Sequence, residues 1–335
     1  MNILVLSTGG TIGSTAVGGV IAPDGLKALH LLELYAAAFP TDTHHFKVQT
    51  ICSILSENAD DTFYERLLHY FYTTDFTPYD GVILLHGTDT LSFTAPLLAM
   101  ACRFVSIPVC LVSSNHVLDD RNANGLINFR AAVRYIESGY GGFVVPYRNS
   151  DSRTYYHLST RLLEADAFLD DFHSAGDTVL AEYVADTVRW IGHPTLPTPE
   201  TLSQPSLPLS DTPLQFKKKI LCLRSIPAFD FSALSIENGQ FAAVLLTAFH
   251  SGTAPMESLC AFANRAAAVG VPVYLAPVKR VEAQYASTDA LLKAKIRPLF
   301  ALTPEAALAK LKIAYNLPAA VPSEILNRNL YFEEN

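Results

Sequence analysis

The sequence predicts an α/β fold: a parallel sheet in an N-terminal domain, followed by a smaller α/β domain. Three observations point there. Short, near-continuous apolar runs such as Ile3-Leu4-Val5-Leu6 and Gly81-Val82-Ile83-Leu84-Leu85 read as strands covered on both faces, the pattern of a parallel sheet. Segments of helical periodicity separate these runs, so strand and helix alternate. The 335-residue length also exceeds the roughly 250–300 residues at which a single core stops growing, so two domains are expected.

Taken in order, the first apolar run ends without a linker in Ser7-Thr8-Gly9-Gly10-Thr11-Ile12-Gly13. A strand that stops in a Gly-rich turn puts Thr11 at the carboxyl end of the sheet, the edge where open α/β folds bind ligands. The glycines allow positive φ and close approach of backbone N–H groups to a small molecule. Ser14 to Asp24 lacks periodicity and reads as a loop able to close over a site. Gly25 to Ala38 carries Leu26, Leu29, Leu32 and Leu34 at helical spacing and stops before Pro40. A strand at Lys47 to Ile51 leads into Ser53-Ile54-Leu55-Ser56-Glu57-Asn58-Ala59-Asp60, whose polar residues cap a helix running to about Thr73. The strand Gly81 to Leu85 ends in His86-Gly87-Thr88-Asp89-Thr90 and is followed by a helix, Leu91 to Arg103. A second threonine thus arrives at a strand end, with a carboxylate beside it.

A strand at Pro108 to Val112, a polar turn to Asn124, a helix to about Ser138 and a strand at Gly142 to Val145 complete the alternation. Tyr147 to Ser174 is rich in Ser, Arg, Tyr and Asp and reads as irregular. The proline-dense stretch 194–213 is too stiff and too poor in apolar pattern for an element. The expected organisation is a site-bearing domain over 1–192, a linker over 193–215 and a second domain over 216–335. In the latter, strands are expected near Ile220 to Leu223, Ala243 to Leu246 and Pro272 to Leu275, with helices near 255–269 and 287–294. A last helix is signalled by Thr303 as N-cap and Pro304 in its first turn.

Composition narrows the function. Lys+Arg 24 against Asp+Glu 32 gives a net charge of −8, which argues against a nucleic-acid or anionic-membrane partner. No apolar stretch approaches the roughly 18 residues of a membrane span, and no signal-like segment opens the chain. The five cysteines, Cys52, Cys102, Cys110, Cys222 and Cys260, are odd in number and show no C-x-x-C spacing, which fits buried reduced thiols and a cytoplasmic location. Dinucleotide, P-loop and H-E-x-x-H motifs are absent, and His44-His45 stand alone in a polar stretch. Hydroxyls at strand ends beside a Gly-rich turn suit hydrolysis of a small amide, which needs a nucleophile, a proton acceptor and N–H donors for an oxyanion.

Thr8-Gly9-Gly10-Thr11-Ile12-Gly13 and His86-Gly87-Thr88-Asp89-Thr90 resemble the two signature motifs of the bacterial-type L-asparaginase/glutaminase family, in order and at the family's spacing, and closest to its cytosolic, type I-like branch. Leu55-Ser56-Glu57-Asn58 resembles the family's substrate-binding serine segment, and Thr303 to Leu311 its C-terminal helix. The resemblance implies hydrolysis of the side-chain amide of L-asparagine or glutamine, with Thr11 as the acyl-enzyme nucleophile and Thr88 and Asp89 as second hydroxyl and carboxylate. It implies that Asp89 grips the substrate's α-amino group, that Ser56 holds its α-carboxylate with Glu57 beside it, and that Gly10, Gly87 and Thr88 line the substrate pocket. It further implies no cofactor or metal, and a homodimer or homotetramer with sites near the subunit interface.

Two positions depart from the family pattern. No tyrosine precedes Tyr35, where the family places one in the loop that closes on the nucleophile. No lysine lies between Lys47 and Lys217, where the family pairs one with its second threonine. Arg153, Tyr155, Tyr156, His157 and Arg161 occupy that region; a guanidinium does not deprotonate, so the arginines offer charge and not a base. An amino-acid-binding protein of the same fold, with weak or no turnover, is the alternative from another class. An amidotransferase subunit feeding ammonia to charged tRNA is a third, for which neither an added N-terminal domain nor a basic bias is seen.

Overall fold

A computed structural model describes residues 1–10, 12, 14–17, 20–23 and 27–335. The chain divides into two compact units, Met1–Pro213 and Leu214–Asn335.

In the first unit the elements are β1 (Asn2–Gly9), β2 (Ser14–Val17), β3 (Val20–Pro23), α1 (Lys27–Ala38), β4 (His45–Ile54), α2 (Asp61–Thr73), β5 (Gly81–Leu85), α3 (Leu91–Ala101), β6 (Val109–Val112), α4 (Gly125–Glu137), β7 (Phe143–Arg148), β8 (Thr154–Leu158), β9 (Ala181–Val184), β10 (Thr187–Trp190) and α5 (Pro199–Leu202). Eight strands form one sheet in the order β10-β9-β8-β7-β6-β5-β1-β4. The pairs from β4 across to β7 are parallel. The chain leaves β1 toward β4 on one side and later returns to β5 on the other, so the strand order reverses at β1. That reversal opens a crevice at the carboxyl ends of the strands.

Register and packing identify the two faces. Cys110 Sγ and Tyr156 Oη donate to the carbonyls of Ala132 and Ala131 in α4, and the Tyr35 ring of α1 meets Phe129 of α4 at 5.2 Å. On the opposite face Phe143 packs on Phe71 of α2, and His86 meets Thr94 of α3. Covered on both sides, β1, β5 and β6 bury nearly every side chain, which explains their unbroken apolar runs.

Three segments differ from the sequence reading. Ser14 to Asp24, read as a loop, carries the antiparallel pair β2–β3, with Ser14 opposite Pro23 and Val17 opposite Val20. The stretch after Tyr147, read as irregular, forms β8, which pairs antiparallel with β7 and extends the sheet through β9 and β10. Its residues Thr-Tyr-Tyr-His-Leu carry no alternation of apolar and polar types, because His157 and Tyr156 are both buried there. The proline-dense stretch is pinned to the first unit: Gly141 N donates to Ser203 Oγ at 2.8 Å and Ser206 N to Arg103 O at 3.0 Å.

The second unit contains β11 (Ile220–Arg224), β12 (Ala243–Thr247), α6 (Met256–Ala268), β13 (Val273–Val278), α7 (Ala286–Lys293), β14 (Arg297–Phe300), α8 (Pro304–Asn316) and α9 (Pro322–Leu326). Its four strands are parallel, in sequence order. β14 escaped the sequence reading because Arg297 and Pro298 interrupt its apolar pattern. Thr303 caps α8 by accepting from Ala306 N at 3.1 Å, with Pro304 next. A buried ion pair, Lys310 Nζ to Glu333 Oε1 at 2.7 Å, fixes the last residues, and Glu333 also accepts from Leu330 N and Tyr331 N. All five cysteines are free; Cys102 and Cys110 are buried as expected, whereas Cys222 is exposed.

Candidate active site

Both Gly-rich turns and the serine segment converge where the strand order reverses. β1 continues into Gly9 and Gly10, which take φ of +100° and +76°. These values explain the choice of glycine: a Cβ on Gly10 would stand 2.3 Å from Gly87 N, and one on Gly9 2.3 Å from Ile54 O. The turns after β1 and β5 are therefore in backbone contact. Gly87 is equally confined, since a Cβ there would meet Ser56 Oγ at 2.4 Å. Gly10 N donates to Ile54 O at 3.0 Å, and Thr8 Oγ1 donates to Leu85 O at 2.8 Å, tying β1 to both neighbours.

Ser56 follows β4 and is buried, and its Oγ donates to Asp89 Oδ2 at 3.1 Å. Thr90, which the sequence did not single out, donates through Oγ1 to Ser56 O at 2.9 Å. The serine segment is thus clamped to the second turn at two points. Asp89 is exposed and Thr88 half-buried, just before α3. Glu57 is exposed and makes no hydrogen bond or ion pair among the described residues. Thr11 lies outside the described residues, as does Gly13. Gly10, Ser56, Gly87 and Asp89 are brought together, with Thr88 in the same turn.

The N–H of Gly10 is committed to Ile54 O, whereas those of Thr88 and Asp89 have no acceptor among the described residues. The second turn therefore offers N–H donors, where the start of α3 adds its positive dipole end; Thr11 and Gly13 of the first turn lie outside the described residues. Beneath this turn His86 is almost fully buried, with Nδ1 2.8 Å from Gly87 O and Nε2 3.0 Å from Thr94 Oγ1. Burial holds its imidazole at about 4, although the Gly87 carbonyl and the Asp89 charge act the other way. A neutral His86 thus props the turn against α3, a role invisible in sequence because the partner Thr94 lies on the following helix.

The side chains in place of the family lysine are mostly engaged. Tyr156 Oη donates to Ala131 O on the far face of the sheet, and Arg161 is buried with its guanidinium on Thr195. Tyr155 Oη accepts from the exposed Arg153. His157 shares the α2/α3 face with His86, because it pairs with Val145, whose face carries Phe143 and Tyr147. Its Nδ1 lies 2.8 Å from Ser174 Oγ, and burial holds it at about 3, with His173 adding a smaller push. Its Nε2, Ser113 Oγ at the end of β6, Ser92 Oγ in the first turn of α3 and Ser159 Oγ are buried without a hydrogen-bond partner among the described residues. Among the described residues no group of three or more His, Cys, Asp or Glu is placed to hold a metal ion.

The family model for the N-terminal asparaginase domain matches residues 2–196. The chain belongs to the asparaginase family. One component of the glutamyl-tRNA(Gln) amidotransferase of Thermococcus kodakarensis is 26% identical over 329 residues, covering 92% of this chain and 70% of the relative. An L-asparaginase from the same organism is 29% identical over 210 residues, covering 62% of this chain and 61% of the relative. The thermostable L-asparaginase of T. kodakarensis, a solved structure, superposes with a TM-score of 0.78 at 24% identity, covering 100% of this chain and 99% of that one. That likeness shows the fold: an asparaginase-type parallel sheet followed by a smaller second domain. No helix among the described residues is long and apolar enough to cross a membrane.

Proposed function

We propose that this asparaginase-family chain hydrolyses the side-chain amide of L-asparagine, or of a close relative such as glutamine, to the acid and ammonia through an acyl-enzyme on Thr11. The contact of the two Gly-rich turns, closed by the Ser56–Asp89 hydrogen bond, carries this reading. On this reading the small-molecule substrate sits at the reversal of strand order. Asp89, exposed and bonded to one hydroxyl, has lone pairs for a substrate ammonium, and Ser56 and Thr88 offer hydroxyls to the α-carboxylate and the reacting amide. The unengaged N–H groups of Thr88 and Asp89 supply donors for an oxyanion, a contribution of about 10²–10³ in rate for one donor. The proposal includes a cytoplasmic homodimer or homotetramer with the sites near a subunit interface, and no cofactor.

One observation favours a second reading, an amino-acid-binding protein with weak turnover. Of the side chains in place of the lysine, Tyr156 and Arg161 are committed elsewhere, and His157 is buried and held neutral. A positioned proton acceptor contributes about 10²–10⁴ in rate. Ammonia release from L- and D-asparagine and from L- and D-glutamine, with binding measured in parallel, separates the two. Release from an L-amide supports the amidohydrolase; tight binding without release overturns it. Release only alongside a charged tRNA and a partner chain places this protein with the amidotransferase components instead.

A further inference from the structure

A second polar cavity, of about 340 Å³, opens at the carboxyl ends of β6 and β7 and shares no lining residue with the cluster around Gly10, Ser56 and Asp89. Its walls are fixed by side-chain to backbone hydrogen bonds. Asn115 N and Asn124 N each donate to the other's Oδ1 at 2.9 Å, and Asn124 Nδ2 donates to Arg148 O at 2.8 Å. Asn149 spans to Phe172, donating through Nδ2 to its carbonyl at 2.9 Å and accepting from its N–H at 3.0 Å. Asp171 accepts from Ser150 N at 2.7 Å and from Ser150 Oγ at 2.6 Å. A hydrated surface dimple needs none of this reinforcement. A site that must hold polar groups in fixed positions does.

Three charged lining groups are left over. The guanidiniums of Arg121 and Arg148 and the carboxylate of Asp170 make no hydrogen bond, ion pair or ring contact among the described residues. Arg148 and Asp170 are half-buried. The other arginines of this unit that are not exposed behave differently: Arg130 and Arg134 are paired with carboxylates, Arg161 is bonded to Thr195 and Arg103 to the carbonyl of Leu207. A guanidinium withdrawn from water and left without a counter-charge is unfavourable unless something else supplies one. Asp170 and the lining residue Ser152 also hold φ of +58° and +67°, conformations uncommon for residues other than glycine.

We propose that this cavity binds a small zwitterion, a free α-amino acid, with its carboxylate on Arg148 and Arg121 and its ammonium on Asp170. Two cations and one uncommitted anion favour a ligand with both charges over a simple anion. The volume accommodates an amino acid with a few waters and is at the small end for ligand sites. The start of α4 at Gly125, next to the lining residue Asn124, adds a dipole that favours the carboxylate end. This site does not depend on whether the first cluster hydrolyses amides.

The test uses the full chain and measures binding stoichiometry of glycine and L-aspartate by calorimetry, with acetate and ethylammonium as single-charge probes. A Ser56→Ala, Asp89→Asn background weakens the first cluster. In that background one equivalent of glycine is expected to remain, Arg148→Gln and Asp170→Asn each to weaken it at least tenfold, and both single-charge probes to bind at least tenfold less tightly than glycine. Arg121→Gln serves as the second arm if Arg148→Gln lowers the yield of folded protein. Unchanged glycine binding in the arginine variants overturns the proposal. So does a variant that alters sedimentation without altering binding, since the guanidinium then serves a contact between copies. If the first cluster binds no amino acid, the background substitutions leave the stoichiometry as in the wild type and the arginine variants still remove one equivalent; whether an amide bound there is hydrolysed is read separately, from ammonia release.

Discussion

Two polar clusters in the first unit resolve their charges in opposite ways. Around α4, Arg130 donates to Asp186 through Nε at 2.7 Å and Nη2 at 2.6 Å, to Tyr35 Oη at 2.7 Å and to Asp42, while its guanidinium lies 4.1 Å from the Phe39 ring centroid. Arg134 joins Asp186 to Glu137. Each guanidinium and carboxylate there has an ion-pair partner, although Arg134 Nε finds no acceptor among the described residues. Where the turns after β1 and β5 meet, Asp89 has, among the described residues, a single hydroxyl donor, two N–H groups find no acceptor there, and glycines replace side chains. A polar cluster that satisfies itself holds elements together; one left incomplete is ready for a ligand.

The largest expected effect lies on the incomplete cluster. Thr11→Val keeps the shape and removes the oxygen, so ammonia release from the preferred amide should fall by about 10⁴-fold or more while amino-acid binding changes little. Release within tenfold of wild type rules out an acyl-enzyme on Thr11.

Breaking the matched cluster should act on stability instead. Arg130→Met leaves Asp42, largely buried, without its main partner and exposes no new pocket. A loss of about 3–5 kcal/mol in urea unfolding is expected, with ammonia release per folded molecule unchanged. A loss under about 1 kcal/mol, the range of an exposed pair, would make the network ornamental and remove the contrast with the open cluster.

The two buried histidines give a third, smaller effect. His86 and His157 are held at about 4 and about 3 by burial, below the unfolded value near 6.5. The unfolded chain binds more protons than the native one between these values, so stability rises with pH across that window and is lost as pH falls from about 6.5. Between pH 7.5 and 5.5 the two together should remove about 3 kcal/mol. Burial pushes the carboxyls of Asp42 and Asp186 up, but their hydrogen bonds outweigh it and hold both below the usual carboxylate range, so they titrate beneath this window and contribute nothing to it. His157→Gln should halve the slope of stability against pH, measured by urea unfolding; an unchanged slope would show that His157 takes up its proton as readily in the native state as in the unfolded one.

The contrast between the clusters also explains what the sequence revealed. Gly10 and Gly87 are legible because the close approach of two backbones excludes every other residue, and strands buried on both faces announce themselves as unbroken apolar runs. The α4 network joins residues 56 and 88 positions apart, and nothing in the local pattern around Asp42 or Asp186 points to Arg130. β8 was hidden for a related reason: a strand whose buried positions include His157, bonded to Ser174, does not look apolar. Thr90 and Thr94 read as ordinary residues at a helix start. Only the fold shows that one clamps Ser56 and the other supports His86.

The smallest effect discriminates most finely. If Asp89 receives the ligand's ammonium group, Asp89→Asn exchanges a charge-assisted contact for a neutral one, a difference of about 1.4 kcal/mol or tenfold in Kd. The asparagine side chain retains the shape and one acceptor oxygen, so the hydrogen bond from Ser56 Oγ survives and the turn stays in place. The weakening should therefore appear with aspartate and asparagine as ligands and be nearly absent with succinamate, which lacks the α-amino group. Equal weakening of both ligand types would mean that the substitution disturbs the turn itself. Asp89 would then belong with the self-satisfied groups around α4, as a residue that orders the start of α3 through Ser56. Ser56→Ala provides the control: it removes the donor from Asp89 and a hydroxyl from the carboxylate site, so it should weaken succinamate and aspartate alike.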